Sequence, residues 1–342
     1  MSVDRHARQS RLPEIGAGGQ ARIRAGSVLV VGCGALGSVA AEILARAGVG
    51  TITIVDRDVV EATNLQRQFL FDEADARRGV PKAEAAKARL SKVNSEVRIR
   101  AFVDDLTARN VRRYREGVDV IVDGLDNLET RYVLNDAAVE AGTPYVYGAA
   151  VGTCGMFATI VPGVTPCLRC LAPELPPAGT VATCETAGVL ASATVAVAAA
   201  EAAEAIKLLV GDVAAIERGL VEIDAWHGRH VRRDRGERDP ACAACARREF
   251  PALSERTAAA ATLCGQDAVR VPLACAADID ATLGRLRAFG TFARIDGRIE
   301  GSFSPGMISV AGLTVFADGT VTVRGTRDTE LARSVVARFV GT

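Results

Sequence analysis

The sequence carries no surplus of either charge: 41 lysines and arginines stand against 41 aspartates and glutamates. Nothing in the composition forces a basic face, so nucleic acid is not the expected partner. Long apolar runs are missing too. The uncharged apolar run between Glu185 and Glu201 is alanine-rich and shorter than the roughly 20 residues a membrane-spanning helix needs. A buried helix is expected there, and no membrane partner. The segment from Met1 to Arg11 is polar and lacks the apolar core of a secretory signal, which points to a cytoplasmic, reducing compartment. Nine cysteines in that setting read as thiols or metal ligands before disulfides. The three histidines, His6, His227 and His230, show no triad or ligand spacing, and no internal repeat divides the chain.

What is present is a strand-and-helix alternation. Residues 27–31 are a β-branched run broken at Gly32, residues 38–47 have helical spacing that stops at Gly48, and residues 51–55 end at Asp56. Strand, glycine turn, helix, strand predicts a parallel sheet with right-handed crossovers. Further helices are expected at 82–90, 131–141 and 191–209, and strands at 97–102, 118–122, from Tyr145 and near 220–223. A proline-rich loop spans 173–179, and a charged stretch, 229–239, leads towards the last cysteine pair. Beyond Glu255 the composition resets: a strand at 269–273, a helix at 278–289, strands around 292–299 and 313–316, an Asp-Gly hairpin signal at 317–320 and a helix at 329–339. The fold class is α/β, a Rossmann-like, mostly parallel sheet with helices on both faces and a zinc staple, plus a small C-terminal α+β domain. The expected boundaries are 1–250, a linker at 251–265, and 266–342.

Gly32-Cys33-Gly34-Ala35-Leu36-Gly37 is a G-x-G-x-x-G loop after a strand and before a helix, where backbone N–H groups meet an anion. Asp56, at the end of the second strand, is placed to accept hydrogen bonds from ribose hydroxyls. A nicotinamide-dependent oxidoreductase fits these features equally well. The next residues favour a triphosphate instead: Asp56-Arg57-Asp58, then Asn64-Leu65-Gln66-Arg67-Gln68, then Pro81-Lys82 crowd one strand end with phosphate-binding types. Asp126, beside Asn127 after the 118–122 strand, is placed to hold magnesium. Cys167-Leu168-Arg169-Cys170 and Cys242-Ala243-Ala244-Cys245 are two C-x-x-C pairs, four thiolates for a structural zinc. Cys184, between the proline-rich loop and the alanine-rich helix, has the setting of a nucleophilic thiol. Cys33, Cys154, Cys264 and Cys275 have no partner spacing and read as structural.

Taken together, RHARQ near the start, GCGALG, DRDVVEATNLQRQFLF, PKAEAAKARL, Asp126-Asn127, PCLRCL, TCETAG and CAAC resemble the ThiF/MoeB/HesA family, relatives of ubiquitin-activating enzymes, over about residues 4 to 250. The resemblance implies ATP- and magnesium-dependent adenylylation of the C-terminal glycine carboxylate of a small β-grasp sulfur carrier ending in Gly-Gly, with release of pyrophosphate, in thiamin or molybdopterin biosynthesis. A sulfurtransferase or cysteine desulfurase is the implied sulfur source. Gly34 and Ala35 are then expected to line the nucleotide, Asp56 to bind ribose, Asn64, Arg67, Gln68 and Lys82 to contact phosphates, and Asp126 to hold magnesium. Arg8 is expected to serve the site of a neighbouring subunit, which implies a homodimer. Cys167, Cys170, Cys242 and Cys245 carry over as zinc ligands, and Cys184 as the residue that forms a conjugate in some members. The rival readings are an NAD-dependent oxidoreductase and a nucleotide-binding scaffold without catalysis.

Overall fold

β-Branched runs punctuated by glycine become the central strands. The computed structural model describes residues 4–176, 180–182, 184–254, 261–262, 267–273 and 276–341. Part of the proline-rich loop (177–179), Thr183, Cys264 and Cys275 lie outside the described residues. In chain order the elements begin α1 (Gly16–Ala25), β1 (Ser27–Val31), α2 (Gly37–Ala47), β2 (Thr51–Val55), α3 (Glu73–Arg78), α4 (Lys82–Val93), β3 (Arg98–Phe102) and α5 (Val111–Arg115). They continue with β4 (Val120–Asp123), α6 (Leu128–Ala141), β5 (Tyr145–Val151), β6 (Cys154–Ile160), α7 (Leu168–Leu171), α8 (Cys184–Ala187), α9 (Ala191–Val210), β7 (Leu220–Asp224) and β8 (Arg229–Arg233). The last are β9 (Ala261–Thr262), β10 (Ala268–Pro272), α10 (Ile279–Leu286), β11 (Gly290–Ile295), β12 (Arg298–Phe303), β13 (Gly312–Val315), β14 (Thr320–Arg324) and α11 (Thr329–Phe339).

Contacts divide the chain into two units. The first comprises Met1–Leu125, Thr130–Pro173 and Val189–Leu253. Its sheet runs β3-β2-β1-β4-β5-β6-β7-β8, parallel from β3 to β5 and antiparallel from there to β8. From β1 the chain steps to β2 on one side, and from β4 to β5 on the other. Right-handed crossovers in opposite directions put α2 and α6 on opposite faces. Helix α9 packs on β4, β5 and β6 and against α2, closing the main core with Val30, Leu44, Ile54, Val122 and Val197. The charged stretch leading to the last cysteine pair, for which no strand was expected, opens with β8, an edge strand whose five residues are all exposed. Its arginines are paired, Arg232 with Glu217 and Arg233 with Glu222 at 2.6 Å each. A charged edge discourages pairing with other chains.

The second unit comprises Asp126–Glu129, Glu174–Gly188 and Ser254–Thr342. Its antiparallel sheet, β11-β12-β13-β14-β10-β9, has α10 packed on β11 and β12, and α11 on β10 and β14. Asp278 and Asp328 cap these helices, accepting the N–H of Ala281 and of Glu330 and Leu331. The single strand expected around 292–299 is a hairpin. Asp296 (φ 46°) and Gly297 (φ 79°) turn β11 into β12, since two left-handed residues match the twist of the flanking strands. The helix expected at 278–289 ends at Leu286, and β9 falls in the segment expected as linker.

Within the first unit, α9 carries Glu201 into the core. Both of its carboxyl oxygens are buried without a hydrogen-bond partner. A Cβ on Gly148 of β5 would run into that carboxyl, so the glycine makes room for it. The adjoining Arg131 donates to Asp123 Oδ2 (3.1 Å) and to the carbonyls of Leu125 (2.6 Å) and Gly148 (2.7 Å), while Tyr145 donates to Asp123 Oδ2 (2.5 Å). Two buried carboxyls thus share one guanidinium. Burial first, and then the charge of Asp123, push Glu201 well above the usual carboxylate range, against the pull of Arg131. A raised folded pKa contributes stability that is whole below about pH 4.5 and is lost as pH rises towards the folded value. Glu201→Gln should therefore gain on the parent protein as pH rises from 5 to 7, by up to ~1.4 kcal/mol per pH unit in urea denaturation. A pH-independent difference would show that Glu201 ionises normally.

Candidate active site

The C-terminal ends of β1 and β4 flank the point where strand order reverses, the place where open α/β sheets bind ligands. Two turns meet there backbone to backbone. Gly32, at φ 82°, lies so close to the β4 turn that a Cβ would come 2.5 Å from the Gly124 carbonyl oxygen, and one on Gly37 would run into the Gly32 carbonyl. Gly34 is different. The atoms nearest an added Cβ are Gln68 Nε2 at 3.7 Å and the Gly124 oxygen at 3.8 Å, ordinary contacts. Packing within the protein does not demand glycine at this position, so the bare backbone is room for something else. Gln68 is itself buried, and its Oε1 has no hydrogen-bond donor.

β2 ends at Asp56, whose Oδ2 accepts from the N–H of Cys33 (2.6 Å) and Oδ1 from that of Asp58 (2.7 Å). The carboxylate thereby fixes the glycine loop to the neighbouring strand. Burial pushes Asp56 up to about 6, with Lys82 opposing and Asp58 adding to the rise. Burial likewise holds the Cys33 thiol far above its ordinary range, so it is an inert core residue. Lys82 is buried at the first turn of α4, with Nζ 3.1 Å from Asp58 Oδ2. A cation at a helix N-terminus opposes the helix dipole and is poorly placed for stability. For a bound anion the same position adds the two sources of positive potential. Asn64 is buried with Oδ1 accepting from Glu61 N–H (3.2 Å), and Arg67 donates to the Thr63 carbonyl (2.9 Å). Gly34, Ala35, Asp56, Asp58, Asn64, Arg67, Gln68 and Lys82 all belong to the first unit. Asp126, exposed and accepting from Asn127 Nδ2 (3.4 Å), belongs with Asn127 and Cys184 to the second.

Arg8 stands elsewhere. Arg5 donates to Asn94 at the C-terminus of α4, the His6 ring occupies the space a Cβ on Gly48 would need at the C-terminus of α2, and Gln9 donates to the Ala47 carbonyl (3.0 Å). The segment is therefore fastened one helix length from the glycine loop, about 16 Å along the 11 residues of α2. Arg8 is exposed there, beyond the reach of its own chain's loop.

The two C-x-x-C pairs converge. Sγ atoms of Cys167, Cys170, Cys242 and Cys245 all lie within 4.8 Å of one another, with 3.6 Å between Cys167 and Cys242 and 3.3 Å between Cys170 and Cys245. Thiolates at ~2.3 Å from a tetrahedral zinc are about 3.8 Å apart, so the donor set fits a structural metal. Burial and the neighbouring sulfurs push the Cys167 thiol up to about 12 without a cation. Buried pairs that the sequence reading missed position this cluster. Arg169, inside the first C-x-x-C, makes a forked ion pair with Asp136 of α6 (2.7 and 2.9 Å), and Asn135 accepts from Leu168 N–H (2.8 Å). Asp123 and Arg131 fix the β4 turn in the same way. Charged residues at the end of an apolar strand and within apolar helical runs were the available signal. Cys154 is exposed at the start of β6, where the sequence suggested a structural residue.

Residues 6–244 match the sequence pattern of the ThiF family. The chain belongs to that family. The Bacillus subtilis protein named sulfur carrier protein ThiS adenylyltransferase is 40% identical over 98% of this chain and 99% of its own length. Sus scrofa adenylyltransferase and sulfurtransferase MOCS3 is 42% identical over 73% of this chain, which spans only 54% of that longer protein. Among solved structures, E. coli MccB with ATP superposes with a TM-score of 0.59 at 25% identity, over 71% of this chain and 75% of MccB. This ThiF-family chain is accordingly an enzyme of the adenylyltransferase type.

Because Arg169 reaches a fully buried carboxylate, Asp136→Ala should leave its largely buried guanidinium without that counter-charge and cost about 3 kcal/mol in urea denaturation. The loss should persist after chelator treatment, since the pair does not pass through the thiols. A deficit that disappears with metal removal would make Asp136 a mere accessory of the metal.

Proposed function

We propose that this enzyme uses ATP and magnesium to adenylylate the C-terminal glycine carboxylate of a small β-grasp sulfur carrier, with pyrophosphate as the other product. The observation that carries the reading is Lys82, a buried ammonium at a helix N-terminus, paired with Asp58 and near enough to Asp56 and to Cys33 of the glycine loop to act on both by its charge. A nicotinamide dinucleotide has no call for it; a triphosphate does. The full-length likeness to a ThiS adenylyltransferase supports the carrier as substrate.

In this reading Asp56 accepts from the ribose, Gly34 and Ala35 lie against the nucleotide, and Asn64, Arg67, Gln68 and Lys82 contact phosphates. A carboxylate oxygen of the terminal glycine attacks the α-phosphorus, a new O–P bond forms, and the bond to the bridging oxygen breaks towards pyrophosphate. Both partners are anions, so the protein's task is to neutralise and align them. Asp126, with Asn127 alongside, would hold magnesium, which adds charge neutralisation on the phosphates. The position of Arg8 at the far end of α2 supports its service to a neighbouring copy, and with it a homodimer. Zinc would be held by Cys167, Cys170, Cys242 and Cys245 as a structural ion. Cys184 would act only after adenylylation, as acceptor in sulfur transfer, with a sulfurtransferase or cysteine desulfurase upstream.

ATP–pyrophosphate exchange with a β-grasp carrier should require both terminal glycines and magnesium, and equal exchange with the truncated carrier would remove the proposed substrate. Asp126→Ala should lower exchange by at least about a hundredfold, while Cys184→Ala should leave it intact. Gly34→Ala should fold normally, because its Cβ meets nothing closer than 3.7 Å, yet lose ATP affinity by roughly tenfold or more as measured by calorimetry. Metal analysis should find about one zinc per chain, and Cys242→Ala should lose it together with thermal stability.

A further inference from the structure

Just past β8, on the way to the second cysteine pair, the first unit buries an arginine. Arg235 is 9% exposed, and its whole guanidinium is given to main chain. Nε donates to the carbonyl of Arg218 (2.7 Å), Nη2 to that of Thr159 in β6 (2.9 Å) and Nη1 to that of Pro166 (3.4 Å). Three carbonyls hold the fork in place, yet none of them cancels its charge, and a buried charge without a counter-charge is costly. Burial holds Arg235 down to about 10, and the charges that oppose the fall are Glu217, the Cys170 thiolate and Glu204. The two carboxylates are already matched, Glu217 with Arg232 (2.6 Å) and Glu204 with Lys207 (2.5 Å). Among the described residues no carboxylate comes within ion-pair distance of Arg235.

The remaining negative charge is sulfur. Pro166, whose carbonyl Arg235 holds, is bonded to Cys167, the first of the four clustered thiols. Four thiolates around one dication leave two negative charges uncancelled. Arg169, inside the first cysteine pair, is neutralised by Asp136. Arg247 and Arg248, beside Cys245, are exposed and act through water. We propose that Arg235 is the counter-charge of the metal centre, a guanidinium seated beside the four sulfurs so that the metal-loaded, dianionic cluster is the state the fold favours. The carbonyls position it, and its charge favours the metal. The inference rests on reading the four cysteines as a zinc site and goes beyond it, because it gives a metal-binding role to a residue outside the ligand set. Charges in such surroundings are screened little, and partners behind the ligands commonly set metal affinity by about 10–100-fold.

The test is the partition of zinc between the full-length protein and a competing chelator. Arg235→Gln keeps hydrogen-bond donors for the carbonyls and removes the charge, so zinc affinity should fall about 10–100-fold. Arg235→Lys keeps the charge and loses the fork, so its affinity should stay within about threefold of the parent. An arginine that served only to tie main chain would give the reverse order, since one ammonium cannot reach three separate carbonyls. That order, or equal affinity in all three proteins, would overturn the counter-charge. Should the glutamine protein fail to fold, lysine against parent decides alone: retained zinc supports the inference, and a loss beyond threefold overturns it. A parent that binds no zinc would bring down the metal reading and this inference together. ATP and the carrier play no part, so failure here is separate from failure of the exchange assay.

Discussion

Everything at the candidate site depends on two backbones touching. Gly32 and Gly124 bring the ends of β1 and β4 closer than any side chain would allow, and Gly37 seats the first turn of α2 on the same spot. Three residues without Cβ atoms form a knot of main chain, and the loop above it has no freedom to sag. Gly34 then remains the one glycine of the loop with open space before it, and Asp56 ties the loop to β2 by accepting the Cys33 N–H. Rigid backbone on one side and vacancy on the other is what close recognition of a phosphate group requires.

A second theme is how much buried charge goes into holding segments still. Helix α6 follows directly on Asp126-Asn127, uses Arg131 to pin the β4 turn, and uses Asn135 and Asp136 to pin the first cysteine pair. These arrangements are costly to bury and gain little stability over apolar packing. Their return is geometric: the first cysteine pair is held in place, within reach of sulfurs 75 residues further along the sequence, by contacts that pass through no thiol.

The sequence disclosed the parts that rest on local rules. β1, β2 and the glycine loop were legible because β-branched runs and glycine act within a few residues, and the C-x-x-C pairs because their spacing is itself the chemistry. What stayed hidden rests on tertiary context. β8 is a run of charges, strand-forming only because β7 offers a ladder. The β11–β12 turn carried an Asp-Gly signal at 296–297 of the same kind as the one recognised at 318–319, and it was read through. Glu201, Asp123 and Asp136 are ordinary charged residues in sequence, and only packing makes them buried. The anchoring of the segment around Arg8 at the far end of α2 was likewise invisible, because it runs through Arg5, His6 and Gln9, and a glycine that stops a helix at Gly48 does not announce which ring will pack on it.

The interleaving of the two units has a consequence for synthesis. Strands β1 to β8 are all synthesised before residue 254, so the first sheet can close while the remainder is still being made. Asp126–Glu129 and Glu174–Gly188 cannot finish with it, because their companions are translated last. A nascent chain therefore passes through an interval in which one sheet is complete and two of its connecting segments wait, unclaimed, for the rest of their own unit to emerge.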